Sequence, residues 1–304
     1  KELHFFGQLW SANNSNQVLT RLESVRLFSK LLSIQKFGIF NQHNFKEFDD
    51  ISEAVISKKD HTSLDVFHQF LDYYSDHKNV DIVCDQTPRN VFYIKEILDR
   101  FPEAKVINMV RDPRDVLLSQ KNKWKRRYFG ASGIPFREAI RSYFNYHPIT
   151  ISKIWNTSIR HARKFKNHER LRIIKFEDLL LRPKNTIKEL CLFLNINFDD
   201  EMLNIPNIGS STNIDIDSID GLDKSKIGKW KEGGLSISEI YICQKMCYKY
   251  INLYKYESRF FSMMPIFTIV SFFTFPIKLI ISFILNLHRI KNFKELIQKR
   301  IISR

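Results

Sequence analysis

Apolar residues recur every three or four positions between Ser15 and Phe37, where Val18, Leu22, Val25, Phe28 and Leu32 share one side of a predicted helix, with Ser15 or Asn16 as its N-cap. Residues 38–79 mix Phe, His, Asp and Lys without sustained order. Within them, Leu64, Phe67, Phe70 and Leu71 predict one helix before His77, and the stretch as a whole reads as an insertion or acceptor-side region. Short apolar runs then alternate with helical periodicity. Val80–Cys84 (VDIVC), Lys105–Val110 (KVINMV) and Leu171–Phe176 (LRIIKF) read as strands. Helices are predicted over Arg89–Phe101, from Pro113 onward, over a long region from Phe136 to Phe165, over Thr186–Leu194 and over Ser236–Tyr256. This alternation predicts an α/β domain whose parallel sheet is covered on both faces, with ligands at the carboxyl ends of the strands. No internal repeat is visible.

The pattern changes after Tyr256. Residues 260–287 contain a single charge, Lys278, and are followed by Arg289, Lys291, Lys294, Lys299, Arg300 and Arg304. The run is close to the length of a membrane span, yet Pro265, Pro276 and Lys278 interrupt it. A kinked or shallow segment in one leaflet is therefore expected, with its basic end on anionic headgroups; packing on the domain or on another subunit is the competing reading.

Composition narrows the partners. The 304 residues are 43% apolar and 13% aromatic, enough for a real core, and 48 Lys plus Arg against 33 Asp plus Glu leave a net charge of +15. A surface that basic attracts a nucleotide, an acidic glycan, nucleic acid or a negatively charged membrane. Nucleic acid is set aside for want of any module or aromatic platform that would bind it. Cys84, Cys191, Cys243 and Cys247 form no CxxC pair and lack a His at zinc-ligand spacing, so they are read as reduced thiols of a cytoplasmic protein, with no metal site.

Chemistry concentrates at residues 110–119 (VRDPRDVLLS). Asp112 is a natural N-cap, Pro113 suits the first helical position, and Asp115 stands where the acid of a capping box belongs. The strand then ends at Arg111. Ser119 lies about two turns beyond the cap on the cap's own face of the helix, on the side where Arg111 emerges. An arginine fork, a hydroxyl and a helix N-terminus converging on one spot suit a phosphate dianion. From these residues alone the segment is equally an ordinary strand-to-helix turn with a surface arginine.

The run from Phe101-Pro102-Glu103-Ala104-Lys105 through Arg111-Asp112-Pro113-Arg114-Asp115 to Ser119 resembles the 3'-phosphate-binding signature of the sulfotransferase family. The resemblance extends back to Asp85-Gln86-Thr87-Pro88, similar to a D/K-x-T-P turn of that family. It extends forward to Lys175-Phe176-Glu177-Asp178-Leu179 with Arg182-Pro183, similar to its strand and E-D-L turn, in which Glu177 and Asp178 read as structural. It implies a parallel sheet flanked by helices in the manner of P-loop nucleotide kinases. It also implies 3'-phosphoadenosine 5'-phosphosulfate as sulfuryl donor, with Arg111 and Ser119 on its 3'-phosphate and no metal.

The first residues, Lys1-Glu2-Leu3-His4-Phe5-Phe6, resemble the K-E-x-H-F-F strand of the glycan O-sulfotransferase branch. That resemblance makes Glu2 the candidate general base and His4 its partner, since residues two apart on a strand share a face. A hydroxyl acceptor needs such a base because it attacks sulfur poorly until its proton is taken. In the family a Gly/Ser/Thr-rich loop for the 5'-phosphosulfate precedes this strand. Neither Gly130–Gly133 nor Gly233-Gly234 has that pattern, so an upstream segment is expected, without which these residues would be inactive.

Lys224–Lys231 (KSKIGKWK) resembles the late G-x-W-K element that closes over the nucleotide: Lys226 and Lys229 would reach its phosphates, and Gly228 would permit close backbone approach. A solvated basic loop is the alternative, and Trp230 reads equally as a core anchor or an adenine neighbour. Lys121–Arg127 (KNKWKRR) adds five cations that either guide an anionic acceptor or form a solvated face. Together these readings give a sulfotransferase domain over 1–258 and a membrane-associating tail over 259–304. The expected acceptor is a carbohydrate or glycolipid. A nucleotide kinase of similar fold and a non-enzymatic anion- or membrane-binding protein are the rivals.

Overall fold

The structure is a computed structural model that describes residues 2–57, 59, 61–128, 134–205 and 222–287. The Gly130–Gly133 cluster and the basic residues after Leu287 lie outside the described residues. The chain forms two compact units, Lys1–Pro102 and Glu103–Leu287.

In the first unit, helix α1 (Arg21–Phe37) packs on α2 (Asp49–Val55) and α3 (Ser63–Lys78), followed by a 3₁₀ turn, Pro88–Tyr93, and α4 (Ile94–Arg100). A two-residue antiparallel pair, β1 (Val18–Leu19) with β2 (His61–Thr62), ties the starts of α1 and α3. Helix α1 begins later than expected, at a capping box in which Thr20 and Glu23 each satisfy the other's backbone amide. Thr62 and Asp65 repeat the device at α3. The core is aromatic: Phe5 stacks on Phe67 at 4.0 Å, Phe6 on Tyr93, and Phe28 meets Phe70 edge to face.

Two expected strands of this unit are absent. Residues 80–84 form no strand and bend at Asp81; they pair with no strand among the described residues, and Val80 and Ile82 are exposed. Residues 2–6 are likewise not a strand. His4 is left-handed (φ 54°), and a tight turn over Phe5–Leu9 passes through Gly7 at φ 83°. The turn puts the adjacent Phe5 and Phe6 into one core, whereas a strand would send them to opposite faces. A Cβ on Gly7 would stand 2.9 Å from the Tyr93 hydroxyl oxygen, so only glycine fits.

The second unit is mostly helical around a small parallel sheet. Strand β3 (Val106–Val110) pairs in parallel with β4 (Leu171–Lys175), Val110 opposite Lys175. Helix α5 (Pro113–Asn122) follows β3. The long helix expected over 136–165 is broken into α6 (Phe136–Asn145) and α7 (Pro148–Lys164), because Pro148 opens a new first turn behind the His147 cap. Helices α8 (Phe176–Leu181) and α9 (Pro183–Leu194) follow β4; α10 (Ile237–Leu253), capped by Ser236 and Glu239, and α11 (Phe267–Asn286) complete the unit. Val110, Leu117, Trp155, Ile159, Cys247 and Ile251 form a core where α5, α7 and α10 meet behind the sheet. Each such fully buried Leu or Ile contributes about 1.5–3 kcal/mol. All four cysteines are free, and only Cys84 is exposed.

Candidate functional site

Strand β3 ends at Val110, and the chain turns directly into α5. Asp112 caps α5 by accepting from the Arg114 amide at 2.9 Å, and its own amide donates to Glu177 Oε1 at 2.9 Å. Glu177 Oε2 accepts from the Tyr256 hydroxyl at 3.0 Å, so this acid braces the turn and stands in no position of its own for chemistry. Burial, then the Glu177 carboxylate, push the Tyr256 phenol far up, which keeps it a hydrogen-bond donor.

The two arginines of the turn have different surroundings. Arg114 has no exposure: its Nε and Nη2 grip both oxygens of Asp112 at 2.9 and 2.7 Å, its Nη1 donates to Gln244, and its guanidinium lies 4.0 Å from the Trp230 ring centroid. Arg111 is half-buried. One Nη donates to the Lys226 carbonyl at 2.7 Å and the guanidinium lies over Phe176, while the buried Nε finds no partner among the described residues. A buried guanidinium N–H without an acceptor is costly unless a ligand supplies one.

The bond to Lys226 belongs to a wider arrangement. Asp115 does not close a capping box, as expected from its position; its oxygens accept from the Gly228 amide at 2.8 Å and the Trp230 amide at 3.0 Å. Burial pushes the Asp115 carboxyl above its usual range, opposed by those amides and by Arg111. Gly228 sits at φ 69°, a left-handed conformation that brings both amides onto one carboxylate. Trp230 is buried beneath Arg114 as a core anchor. Lys229 pairs with Glu232 at 3.0 Å. The Lys226 carbonyl and the Gly228 amide are thus held to Arg111 and Asp115 at the carboxyl end of β3, the Lys229 side chain turns to Glu232, and Ser119 is half-buried on α5, the helix this turn opens. Of the residues that hold this arrangement, Asp115 and Arg114 were invisible as partners of a loop more than a hundred positions away.

Glu2 and His4 belong to the first unit. Glu2 Oε2 lies 3.1 Å from His4 Nε2, so the pair forms although the strand expected to align it does not. The His4 amide donates to the Thr87 hydroxyl at 3.3 Å, and that hydroxyl donates to Asp85, which also accepts from Asn90. The Asp85-Gln86-Thr87-Pro88 turn therefore holds the segment that carries the pair.

Residues 9–200 match the sequence profile described as the Sulfotransferase family, a span that includes Arg111 and Ser119 and well over half of the 304 residues. The chain belongs to the sulfotransferase family. Glu2, His4 and the loop at Lys226–Trp230 fall outside the matched span. Two solved structures are similar in fold. One is the sulfotransferase domain from the curacin biosynthetic pathway, 19% identical over 85% of this chain and 88% of that one, with a TM-score of 0.46. The other is the sulfotransferase domain from the Synechococcus PCC 7002 olefin synthase, 17% identical over 85% of each chain, with a TM-score of 0.47. No curated protein matches the chain significantly.

Proposed function

We propose that this sulfotransferase takes its sulfuryl group from 3'-phosphoadenosine 5'-phosphosulfate and passes it to a hydroxyl of a carbohydrate or glycolipid acceptor, in the cytoplasm beside a membrane. The observation that carries the donor assignment is Arg111: a half-buried guanidinium with an unengaged Nε, set where a strand runs into the N-terminus of α5 and closed over by the 224–230 loop. A 3'-phosphate supplies the acceptor atoms that this arrangement lacks, and the positive end of α5 adds to the attraction. Ser119, Lys226, Gly228 and Lys229 are the further donor-binding residues of this reading.

In the reaction, the acceptor oxygen forms a bond to sulfur as the bond from sulfur to the 5'-phosphate oxygen breaks. The proton of the hydroxyl passes to Glu2, oriented by His4, and 3'-phosphoadenosine 5'-phosphate leaves. General-base assistance of this kind is worth about 10²- to 10⁴-fold; the rest falls to in-line positioning and to cations facing the leaving phosphate.

The test is titration of the full chain with 3'-phosphoadenosine 5'-phosphate by calorimetry. Arg111→Ala is expected to weaken binding by about 10- to 100-fold, the worth of a hydrogen bond to a charged group, with the fold intact. Unchanged affinity would remove Arg111 from the site.

A further inference from the structure

Helix α11 has the reverse of the pattern expected of a soluble helix. All six of its polar residues, Thr268, Ser271, Thr274, Lys278, Ser282 and Asn286, lie on the sheltered side, at spacings of three and four. Three of them are engaged with the end of α6: Lys278 donates to the Tyr146 carbonyl at 3.3 Å, Ser282 and Asn286 both donate to Asn145, and Arg141 of α6 donates to Asn286 at 2.9 Å. The other side is apolar and open, with Phe273 74% exposed and Ile277 and Ile280 60% each. Continuous apolar surface of this kind marks a place where something other than water belongs.

The neighbouring helix extends the surface. α6 packs along α11 and leaves Phe136, Ile140 and Tyr143 exposed at spacings of four and three. Tyr143 meets Trp124 at 5.9 Å, Trp124 meets Tyr128, and the Lys278 ammonium lies 5.4 Å from the Tyr143 ring centroid. Lys123, Lys125, Arg126 and Arg127 surround these rings in the sequence, and six more cations against one acid follow in 288–304. Amphipathic aromatic rings beside cations match the headgroup level of an anionic membrane.

We infer that α11 lies in the plane of an anionic membrane surface, its outward face among the acyl chains and the Trp124–Tyr128–Tyr143 cluster at the headgroups. A helix of 20 residues is long enough to cross. Crossing would have to strip its polar stripe from α6 or carry into the bilayer a partner helix that bears Arg137, Glu138 and Arg141. Both are far less favourable than lying flat. This inference rests on α11 and its neighbours alone and stands apart from the donor assignment.

Flotation with vesicles tests it. The chain is expected to float with phosphatidylcholine–phosphatidylglycerol vesicles, and to lose about tenfold or more of that binding on phosphatidylcholine alone. Ile277→Asp/Ile280→Asp is expected to lower partitioning by about a hundredfold with unchanged circular dichroism and unchanged nucleotide binding. Equal flotation of that variant overturns the inference, as does a wild type that ignores vesicles but forms a dimer that the variant dissolves. Dyes attached at Phe267→Cys and Leu287→Cys in a Cys84→Ser background, read by depth-dependent quenching from brominated lipids, should report one depth. Two depths on opposite sides would mean a span and overturn it as well.

Discussion

The turn at residues 111–115 and the segment at residues 2–6 both carry recognisable motifs, yet different kinds of partner hold them. The turn is fixed from a distance: Glu177 and Gln244 reach it from far along the chain, and Asp115 in turn fixes the loop at Gly228–Trp230. Among the described residues, the side chains of this turn find partners, except that the Arg111 Nε has none. The segment at 2–6 is fixed by what its own phenylalanines bury and by one backbone bond to Thr87, and its acidic side chain is 49% exposed. A site that must hold a charged ligand still is built on the first plan. A base that must meet exchanging acceptors can stand on the second.

Arg114 tests that contrast most severely. Arg114→Ala takes away the fork on Asp112 and the cover over Trp230, and leaves Asp112, only 7% exposed, without its cation. Breaking a buried pair from one side costs about 3–5 kcal/mol, which urea unfolding followed by circular dichroism reads directly. Arg111→Ala, three residues earlier, should change stability by less than about 1 kcal/mol. Equal losses in the two variants would erase the distinction between a structural and a ligand-binding arginine.

Next in size is Asp115→Ala, which strands the amides of Gly228 and Trp230. An unsatisfied buried donor costs about 1–3 kcal/mol, so the loop should open by local unfolding. Faster hydrogen exchange at 228–230 and weaker nucleotide binding are the expected readouts. Exchange that stays slow would mean that Trp230 packing alone holds the loop.

How far the sequence foretold this depended on the range of each interaction. Asp112 and Pro113 begin α5 as expected because a cap and a first-turn proline act within a few residues. The start of α1 was legible as well, since Thr20 and Glu23 spell a capping box; the apolar Val18 drew the expected start too early, although its neighbourhood pairs as β1. Pro148 marked the break between α6 and α7, although the expected single helix over 136–165 ran through it. The strand at 80–84 failed for a different reason. A strand needs a partner, and no local property of VDIVC says whether one exists. Asp115 looked like a capping acid because position three of a helix favours that role, and only the distant loop redirected it. In α11 the polar residues were legible in sequence, but not that they face the protein.

A smaller effect separates the second unit's inner acids from its surface. Burial alone would raise the Glu239 carboxyl, but the donors Lys121, Tyr146 and Ser236 outweigh it and hold the group below the usual range. The unfolded chain therefore takes up this proton at a higher pH than the folded one does. The stability it contributes is complete above the ordinary glutamate value of 4.5 and drains away as the pH falls through the lower folded value. Melting temperatures measured across that window should slope less in Glu239→Gln than in the wild type. Parallel slopes would assign the acid sensitivity to other carboxylates.

The smallest change in stability is expected at Glu2, and there the contrast between the two regions becomes sharpest. Its carboxylate is half exposed, and its bond to His4 lies close to solvent, where such pairs contribute about 0–1 kcal/mol. Glu2→Gln keeps the shape and an acceptor oxygen for His4 while removing the ability to take a proton. Unfolding should shift by less than about 0.5 kcal/mol, and nucleotide affinity should stay as it was, because the residues proposed to hold the donor lie in the turn and loop of the other unit. Turnover, measured as transfer of labelled sulfate to a hydroxyl acceptor, should fall by about 10²- to 10⁴-fold. A variant that keeps its turnover would mean that Glu2 orders the N-terminal segment and another group takes the proton. A variant that loses nucleotide binding would mean that the two regions do not work as separately as their bonding suggests.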